Sequence, residues 1–442
     1  MTEIPQAWCN ALPELGFDLP PDLPSPRAAR SEITMNVPVS LVRQEMSSKT
    51  WIPIPDEVVG RYAQWRPTPL RRAREFEQAL GTRSRVYYKY EGGNLSGSHK
   101  LNTAVAQAYY YRRAGAIRLT AGTGAGQWGT AVAAACAMFG LECRVYMVRA
   151  SHEAKPYRKV IMEMLGAEVV PSPSGETEIG RGARQDGSDP GGTLALALGE
   201  ALEDTSEEGT FFCTGSGETY SLLHQTVTGI EAREQLAELG DRPGVVVASF
   251  GGGSNFGGLI LPFLAAEDGD GSSTRYVAAE SAACPKLTRG RYAYDFTDAT
   301  GLAPLQKMYT LGHEYAPPGI HAGGLRYHGA AKLISALYDR ELVEAVAFPQ
   351  RTVFESALTF ARTEGLVPAP ESAHAIHAAV VEAQRADKAG ERVSILVGLS
   401  GHGLFDMSAY ESFLAGTMVD AVAADEEIER GLASLPAQPV AA

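Results

Sequence analysis

Lys100 closes the run Ser96-Gly97-Ser98-His99-Lys100, and twenty-two positions further on the chain reads Gly122-Thr123-Gly124-Ala125-Gly126-Gln127. Only nine lysines occur in the chain. This one follows a strand-like run, Val86-Tyr87-Tyr88-Lys89-Tyr90, and sits among small polar residues. An amine so placed suits Schiff-base chemistry with a carbonyl compound. Two more strand-like runs end in glycine. Val245 to Phe250 leads into Gly251-Gly252-Gly253-Ser254-Asn255, and Val393 to Val397 leads into Gly398-Leu399-Ser400-Gly401-His402-Gly403. Three glycines before Ser254 let backbone N–H groups converge on an anion, with a helix N-terminus behind them. A plain tight turn explains the same residues. The Gly-Lys-Ser/Thr ending of a P-loop is missing, which argues against a nucleoside triphosphate. Thr123 to Gln127 forms a second nest, opening a helix and adding a hydroxyl and an amide. It suits a carboxylate, although a packing turn would also account for it.

These loops need a sheet to hold them. From Trp65-Arg66-Pro67-Thr68-Pro69-Leu70 onward, apolar runs alternate with helix-period segments, as from Ala116–Leu119 through Thr130–Cys136 to Arg144–Val148. That alternation predicts βαβ units and a mostly parallel sheet, with ligands bound at the strand ends. Residues 1–60 are rich in proline and polar groups and read as an arm over the core surface. Ser172 to Gly192 reads as a mobile loop, and the Ala/Asp/Glu-rich stretch after Asp420 as a solvated tail. No internal repeat is present.

At 442 residues, 45% hydrophobic and 21% charged, the chain has material for two globular lobes. A net charge of -13 with no basic stripe argues against nucleic acid. Cys9, Cys136, Cys143, Cys213 and Cys284 are odd in number and lack paired spacing, so neither a disulfide framework nor a metal site is indicated. No signal peptide pattern opens the sequence, and no apolar run approaches the roughly 18 residues of a membrane span. The expected setting is a reducing cytoplasm.

From Val37 to Leu414 the motifs fall in an order that resembles the longer, second type of the tryptophan synthase β-chain family. They include Arg43-Gln44-Glu45, Arg66-Pro67-Thr68-Pro69-Leu70, Tyr88-Lys89-Tyr90-Glu91-Gly92, Gly97-Ser98-His99-Lys100 and Gly124-Ala125-Gly126-Gln127-Trp128-Gly129. Lys155-Pro156-Tyr157-Arg158, Leu222-Leu223-His224-Gln225, His321 to Gly329 and Glu364 to Glu371 continue the match. The resemblance implies a fold-type II pyridoxal-phosphate enzyme with two three-layer α/β lobes. Residues 61–98 and 218–418 would hold the phosphate, residues 99–217 would form the mobile lobe, and 419–442 a flexible tail. Lys100 would be the Schiff-base lysine, with His99 and Asn102 beside the cofactor. Gly251, Gly252, Gly253, Ser254 and Asn255 would hold its phosphate, Ser400 would face the pyridine nitrogen, and Glu364 would sit near the ring. Glu364 also reads as a surface carboxylate before a turn. The substrate would rest on Gly122, Thr123, Gly124, Ala125, Gly126, Gln127 and Trp128. The family implies a homodimer and β-replacement through an aminoacrylate formed from L-serine; the usual α-chain partner is not expected for this longer type.

Two departures stand inside that pattern. The family has Glu where this chain has Gly122, and losing an acid/base group costs roughly 10²–10⁴-fold. Thr214 to Ser221 reads Thr-Gly-Ser-Gly-Glu-Thr-Tyr-Ser, more polar than the family's run beside the acceptor pocket. Glu218 is new there and offers a carboxylate from the other wall; a loop glutamate in solvent explains it too. His224 and Tyr220 read more readily as packed than as catalytic. Three functions follow: addition of indole or a related nucleophile to L-serine or an activated serine, including N-linked isotryptophan formation; ordinary tryptophan synthesis with Glu218 as substitute acid; or a non-catalytic cofactor-binding paralogue.

Overall fold

The computed structural model describes residues 2–26, 37–186, 191–215, 217–266, 274–298 and 301–438. Two sheets organise the chain. The larger has six strands in the order Glu344–Phe348, Arg275–Ser281, Val245–Ser249, Ser394–Leu399, Arg85–Tyr90, Leu70–Arg72. All neighbours are parallel except the edge strand Leu70–Arg72. The smaller sheet is parallel throughout, in the order Glu168–Ser172, Glu142–Val148, Arg118–Thr123, Thr210–Phe212. Its strands fall within residues 99–217, and those of the larger sheet within 61–98 and 218–418.

Strands buried on both faces need continuous apolar runs, and Val245-Val246-Val247-Ala248-Ser249 is buried at every position. Parallel neighbours need crossovers, which the helices supply. Helix Gln127–Phe139 covers one face of the smaller sheet with Ala131, Ala133, Ala134 and Ala135, all but fully buried. Small side chains there bring it close to helix Lys100–Arg113, and both helices begin at functional loops. At the centre of the larger sheet Val245–Ser249 lies beside Ser394–Leu399, although nearly 150 residues separate them. Their C-terminal loops therefore emerge side by side.

Three regions differ from the sequence reading. The arm is not merely laid over the surface: Ala7–Cys9 pairs antiparallel with Trp51–Pro53, and Trp8 is fully buried with Leu41, Ile54 and Val58. Burying indole and aliphatic area at about 25 cal/mol per Å² holds the arm down. The stretch read as a mobile loop carries helix Glu178–Asp186, tied by Glu200, which accepts from Ser174 N (3.0 Å) and Thr177 Oγ1 (2.7 Å); positions 187–190 lie outside the described residues. The expected tail forms helix Asp425–Ala433, whose Ile428 packs on Leu311 and Tyr315. Arg289 secures it through the Ala423 carbonyl (2.7 Å) and Asp425. An apolar residue every few positions was enough to dock a segment whose composition is mostly polar. All five cysteines are buried free thiols. Among the described residues no helix is long and apolar enough to cross a membrane, and no group of three or more His, Cys, Asp or Glu side chains could hold a metal.

Candidate active site

A cleft of about 150 Å³ opens between the two sheets, at the C-terminal ends of their strands. Lys100 lines it from the first position of helix Lys100–Arg113. Burial holds the Lys100 amine below its usual pKa, with Glu371 opposing the shift. Desolvation disfavours the ammonium and shifts the balance toward the nucleophilic free amine.

His99 joins three distant segments. Its backbone N–H donates to Ser400 O (2.9 Å), and its Nε2 lies 3.4 Å from Ser254 Oγ. Burial pushes its pKa down to about 3, so the imidazole is neutral. Gly251, Gly252, Gly253, Ser254 and Asn255 all line the cleft, at the N-terminus of helix Ser254–Leu264. Gly253 has φ of +118°, a conformation side chains rarely adopt. A Cβ on Gly251 would lie 2.1 Å from the Gly324 carbonyl oxygen. The bare backbone and the helix dipole make an anion cradle. Across the cleft Ser400 shares a 2.8 Å hydrogen bond with Ser372, hydroxyl to hydroxyl.

Glu371 takes the place expected of Glu364. Its Oε1 accepts from Gln127 Nε2 (2.8 Å) and Gly324 N (2.8 Å), and it lines the cleft. Glu364 ends helix Gln350–Glu364, which Gly365 terminates at φ +67°. Its carboxylate accepts from Phe76 N (2.9 Å), away from the cleft. The signal for Glu371 was in the sequence, since Pro370-Glu371 is a helix start that places an acid in the first turn.

Asn102 is the second correction. It is two positions beyond Lys100, and residues so spaced do not share a helix face. Asn102 instead donates to Glu91 Oε2 (2.9 Å) and Gln225 Oε1 (3.1 Å) and accepts from Arg66 Nη1 (2.8 Å). This is one end of a buried network. Arg66 pairs with Glu91 (3.0 Å) and Glu231 (2.8 Å), and Lys89 with Glu231 (2.7 Å), all four side chains essentially inaccessible. Two positive and two negative charges balance. Burial alone would raise the Glu91 pKa, yet Arg66 and Lys89 hold it down to about 2. The motifs around Arg66 and Lys89 thus anchor the helix that carries Lys100.

Thr123, Gly124, Ala125, Gln127 and Trp128 line the wall opposite the cradle. Gly126 stands behind them at φ +94°, capping helix Gln127–Phe139. Trp128 is oriented by its Nε1, which donates to Cys213 O (3.0 Å). Gly122 lies in the same wall, where helix Leu194–Glu203 rests directly on the strand. A Cβ at 122 would sit 2.7 Å from the backbone carbonyl of Ala197 and the nitrogen of Leu198. Leu194, Leu198 and Leu202, four residues apart, face the cleft together with Phe212. An apolar wall therefore stands where the family pattern implies a carboxylate. Introducing one by Gly122→Glu should overpack this contact, at about 1–3 kcal/mol. The thermal midpoint should fall and tryptophan formation should not rise; an unshifted midpoint with faster synthesis would contradict the close contact.

The structure brings Glu218 into the cleft. Gln306 Nε2 lies 3.4 Å from Glu218 Oε2. Burial, then the nearby Glu45 carboxylate, raise the Glu218 pKa to about 8, so the group carries a proton at neutral pH. Thr214, Gly215 and Gly217 share that wall; Ser216 lies outside the described residues. Tyr220 is buried away from the cleft, and His224 is packed against Trp8 at 4.5 Å between ring centres, its pKa pushed to about 3 by burial.

Ser98 Oγ also faces the cleft, buried and without a hydrogen-bond partner among the described residues. A lysine, an anion cradle, a neutral hydroxyl and an orphaned donor, spread over three chain segments, are what a phosphorylated pyridine aldehyde requires. The chain is thus a pyridoxal-phosphate-dependent enzyme of fold type II, and a family model described as pyridoxal-phosphate dependent enzyme matches residues 62–401. A fungal L-serine ammonia-lyase from Rhizomucor miehei has the same fold at TM-score 0.58 and 15% identity, covering 79% of this chain and 98% of its own. Maize serine racemase does so at TM-score 0.57 and 17% identity, over 82% of this chain and 98% of its own.

Within that class the chain belongs to the tryptophan synthase β-chain family. It is 51% identical over 425 residues to tryptophan synthase beta chain 2 of Aquifex aeolicus, covering 95% of this chain and 98% of the relative. To that of Thermotoga maritima it is 50% identical over 412 residues, 92% and 97% of the two chains. It is a pyridoxal-phosphate lyase of the tryptophan synthase β type, built for β-replacement.

Proposed function

We propose that the enzyme joins L-serine, or an activated serine, to indole or a closely related apolar aromatic nucleophile, with Glu218 as the proton donor that Gly122 cannot be. The observation that carries this reading is that Glu218 lines the same cleft as Lys100, where burial and the nearby Glu45 carboxylate raise its pKa to about 8. Pyridoxal phosphate, when bound, supplies the electron sink that lets the serine β-substituent depart.

The chain's residues do the rest. Lys100 would hold the cofactor and move the substrate α-proton, and Gly251 to Asn255 would hold its phosphate. Thr123 to Gln127 cradle the substrate carboxylate. Glu218 gives its proton to the departing serine hydroxyl, which leaves as water, and regains one from the incoming nucleophile. Leu194, Leu198, Leu202 and Phe212 receive the ring of the acceptor and exclude water. Ser400, hydrogen-bonded to Ser372, offers the site a neutral hydroxyl and no carboxylate, which would leave the cofactor ring less protonated and would suit elimination and replacement over transamination.

A second reading concerns the bond formed. Gly122 itself offers no group to hold an indole N–H, and this favours addition through nitrogen, giving N-linked isotryptophan and a role in specialised metabolism. Holoenzyme incubated with L-serine and indole should release a coupled amino acid, detected by mass spectrometry. NMR of its linkage separates the two bonds: a β-carbon on nitrogen supports the second reading, and one on C3 removes it. No coupled product from either L-serine or an activated serine would overturn the function as a whole. A homodimer is part of the same reading, with exposed Val39, Met46 and Trp51 on the arm as candidates for its interface, and sedimentation of the purified chain tests it.

A further inference from the structure

Arg43-Gln44-Glu45 is a motif of the arm that the chemistry above does not use, and its helix, Val39–Glu45, ends against helix Thr219–Gln225. Glu45 Oε1 accepts from Thr219 N (2.6 Å) and more weakly from Tyr220 N (3.4 Å). These are the first backbone amides of the helix that Glu218 precedes. Glu218 occupies the N-cap position, with φ -78° and ψ 144°, yet its side chain makes no capping bond. An N-cap side chain ordinarily turns back to accept from its own helix. Here a carboxylate from the arm has taken that duty, and Glu218, which lines the cleft, is left free of its own helix, its Oε2 3.4 Å from Gln306 Nε2. The neighbouring residue fastens the same contact: Gln44 Oε1 lies 2.8 Å from His224 Nε2, and His224 Nδ1 lies 3.1 Å from Thr103 Oγ1 on the helix that begins with Lys100.

We propose that Glu45 is a positioning residue for Glu218: by capping helix Thr219–Gln225 from the arm, it keeps the Glu218 carboxyl turned toward the substrate. The inference rests on the acid role assigned to Glu218. Without Glu45 the two amides lose their acceptor and draw the Glu218 carboxyl out of the cleft. The other groups around Glu218 are Lys332 on helix Lys332–Asp339, Asp22 of the arm, and the phenols of Tyr111, Tyr220 and Tyr327. Lys332 pairs with Asp22 (3.0 Å), so the arm supplies both the cap and the charge setting.

The test compares two donors in the holoenzyme with indole as acceptor: L-serine, whose hydroxyl needs a proton to leave, and β-chloro-L-alanine, whose chloride does not. Glu45→Ala should lower kcat for L-serine by roughly 10–100-fold, the scale of a misplaced catalytic group, and leave β-chloro-L-alanine within a few-fold. Glu45→Gln keeps an acceptor oxygen for Thr219 N and removes a negative neighbour. It should hold kcat for L-serine near its optimum and shift the alkaline limb of the pH profile to lower pH. Equal losses for both donors in Glu45→Ala would mean a structural role alone and would overturn the proposal, as would an unchanged donor ratio. Glu218→Gln, measured alongside, separates the two claims. If it spares L-serine turnover, the acid reading falls; if it abolishes that turnover while Glu45→Ala does not, only the positioning role falls.

Discussion

Glu218→Gln is expected to lower turnover of L-serine by about 10²–10⁴-fold, the usual worth of a positioned acid. Binding of pyridoxal phosphate should survive, because Lys100 and the Gly251–Asn255 cradle do not depend on Glu218. Glutamine keeps the size and polarity of the group and loses only the proton that can be given away. β-Chloro-L-alanine should therefore be turned over by the variant nearly as fast as by the parent. The wild-type pH profile carries the same signature. A carboxyl raised to about 8 is protonated below that pH, so L-serine turnover should persist through neutrality and fall as pH rises through it. The fall should be missing with the chloride donor. Rates for both donors between pH 6 and 10 decide the matter, and an alkaline fall common to both would assign the ionisation elsewhere.

The largest loss of stability is expected at Arg66. Its guanidinium serves two buried carboxylates, through Glu91 at 3.0 Å and Glu231 at 2.8 Å, and also donates to Asn102. Arg66→Met leaves Glu91 and Glu231 facing only Lys89, and an uncompensated buried charge costs about 3–5 kcal/mol. Arg66→Lys should fail almost as badly, since an ammonium cannot serve both carboxylates in a fork. Urea midpoints with and without pyridoxal phosphate measure the effect. Because Asn102 fixes the first turn of the Lys100 helix, cofactor affinity should weaken along with stability. A midpoint within experimental scatter of the parent would show that the network contributes nothing net.

Local pattern determined a good deal of this protein. Strand-like runs ending in glycine marked three of the loops that form the cleft, because a parallel strand buried on both faces must be continuously apolar and its loop must leave room for a ligand. Lys100 and Gly251 to Asn255 stood out there as candidates, whereas His99 and Ser400 were implied by the family resemblance, and all of them line the cleft. Motif order along the chain carried the family. What it could not supply was direction and long-range contact. Glu364 and Glu371 look alike in sequence, and only the helix stop at Gly365 and the new start at Pro370 send one to Phe76 and the other to the cleft. Asn102 follows Lys100 closely, yet helical rotation turns it into the Arg66 network. The tail after Asp420 reads as solvated on composition, and a few apolar residues dock it.

The surroundings of the two departures, Gly122 and Glu218, were decided by tertiary structure. Gly122 appears in the sequence as a missing carboxylate; in the fold it is a contact surface, with the backbone of Ala197 too near for any side chain. Glu218 reads in sequence either as a carboxylate on the pocket wall or as a loop glutamate in solvent; in the fold it lines the cleft, and a carboxylate more than 170 positions away caps the helix behind it. Sequence spacing constrains neighbours within a few residues of one another. Burial, desolvation and the pKa of an acid depend on everything that folding packs around it, and that is settled only when the arm and the two sheets come together.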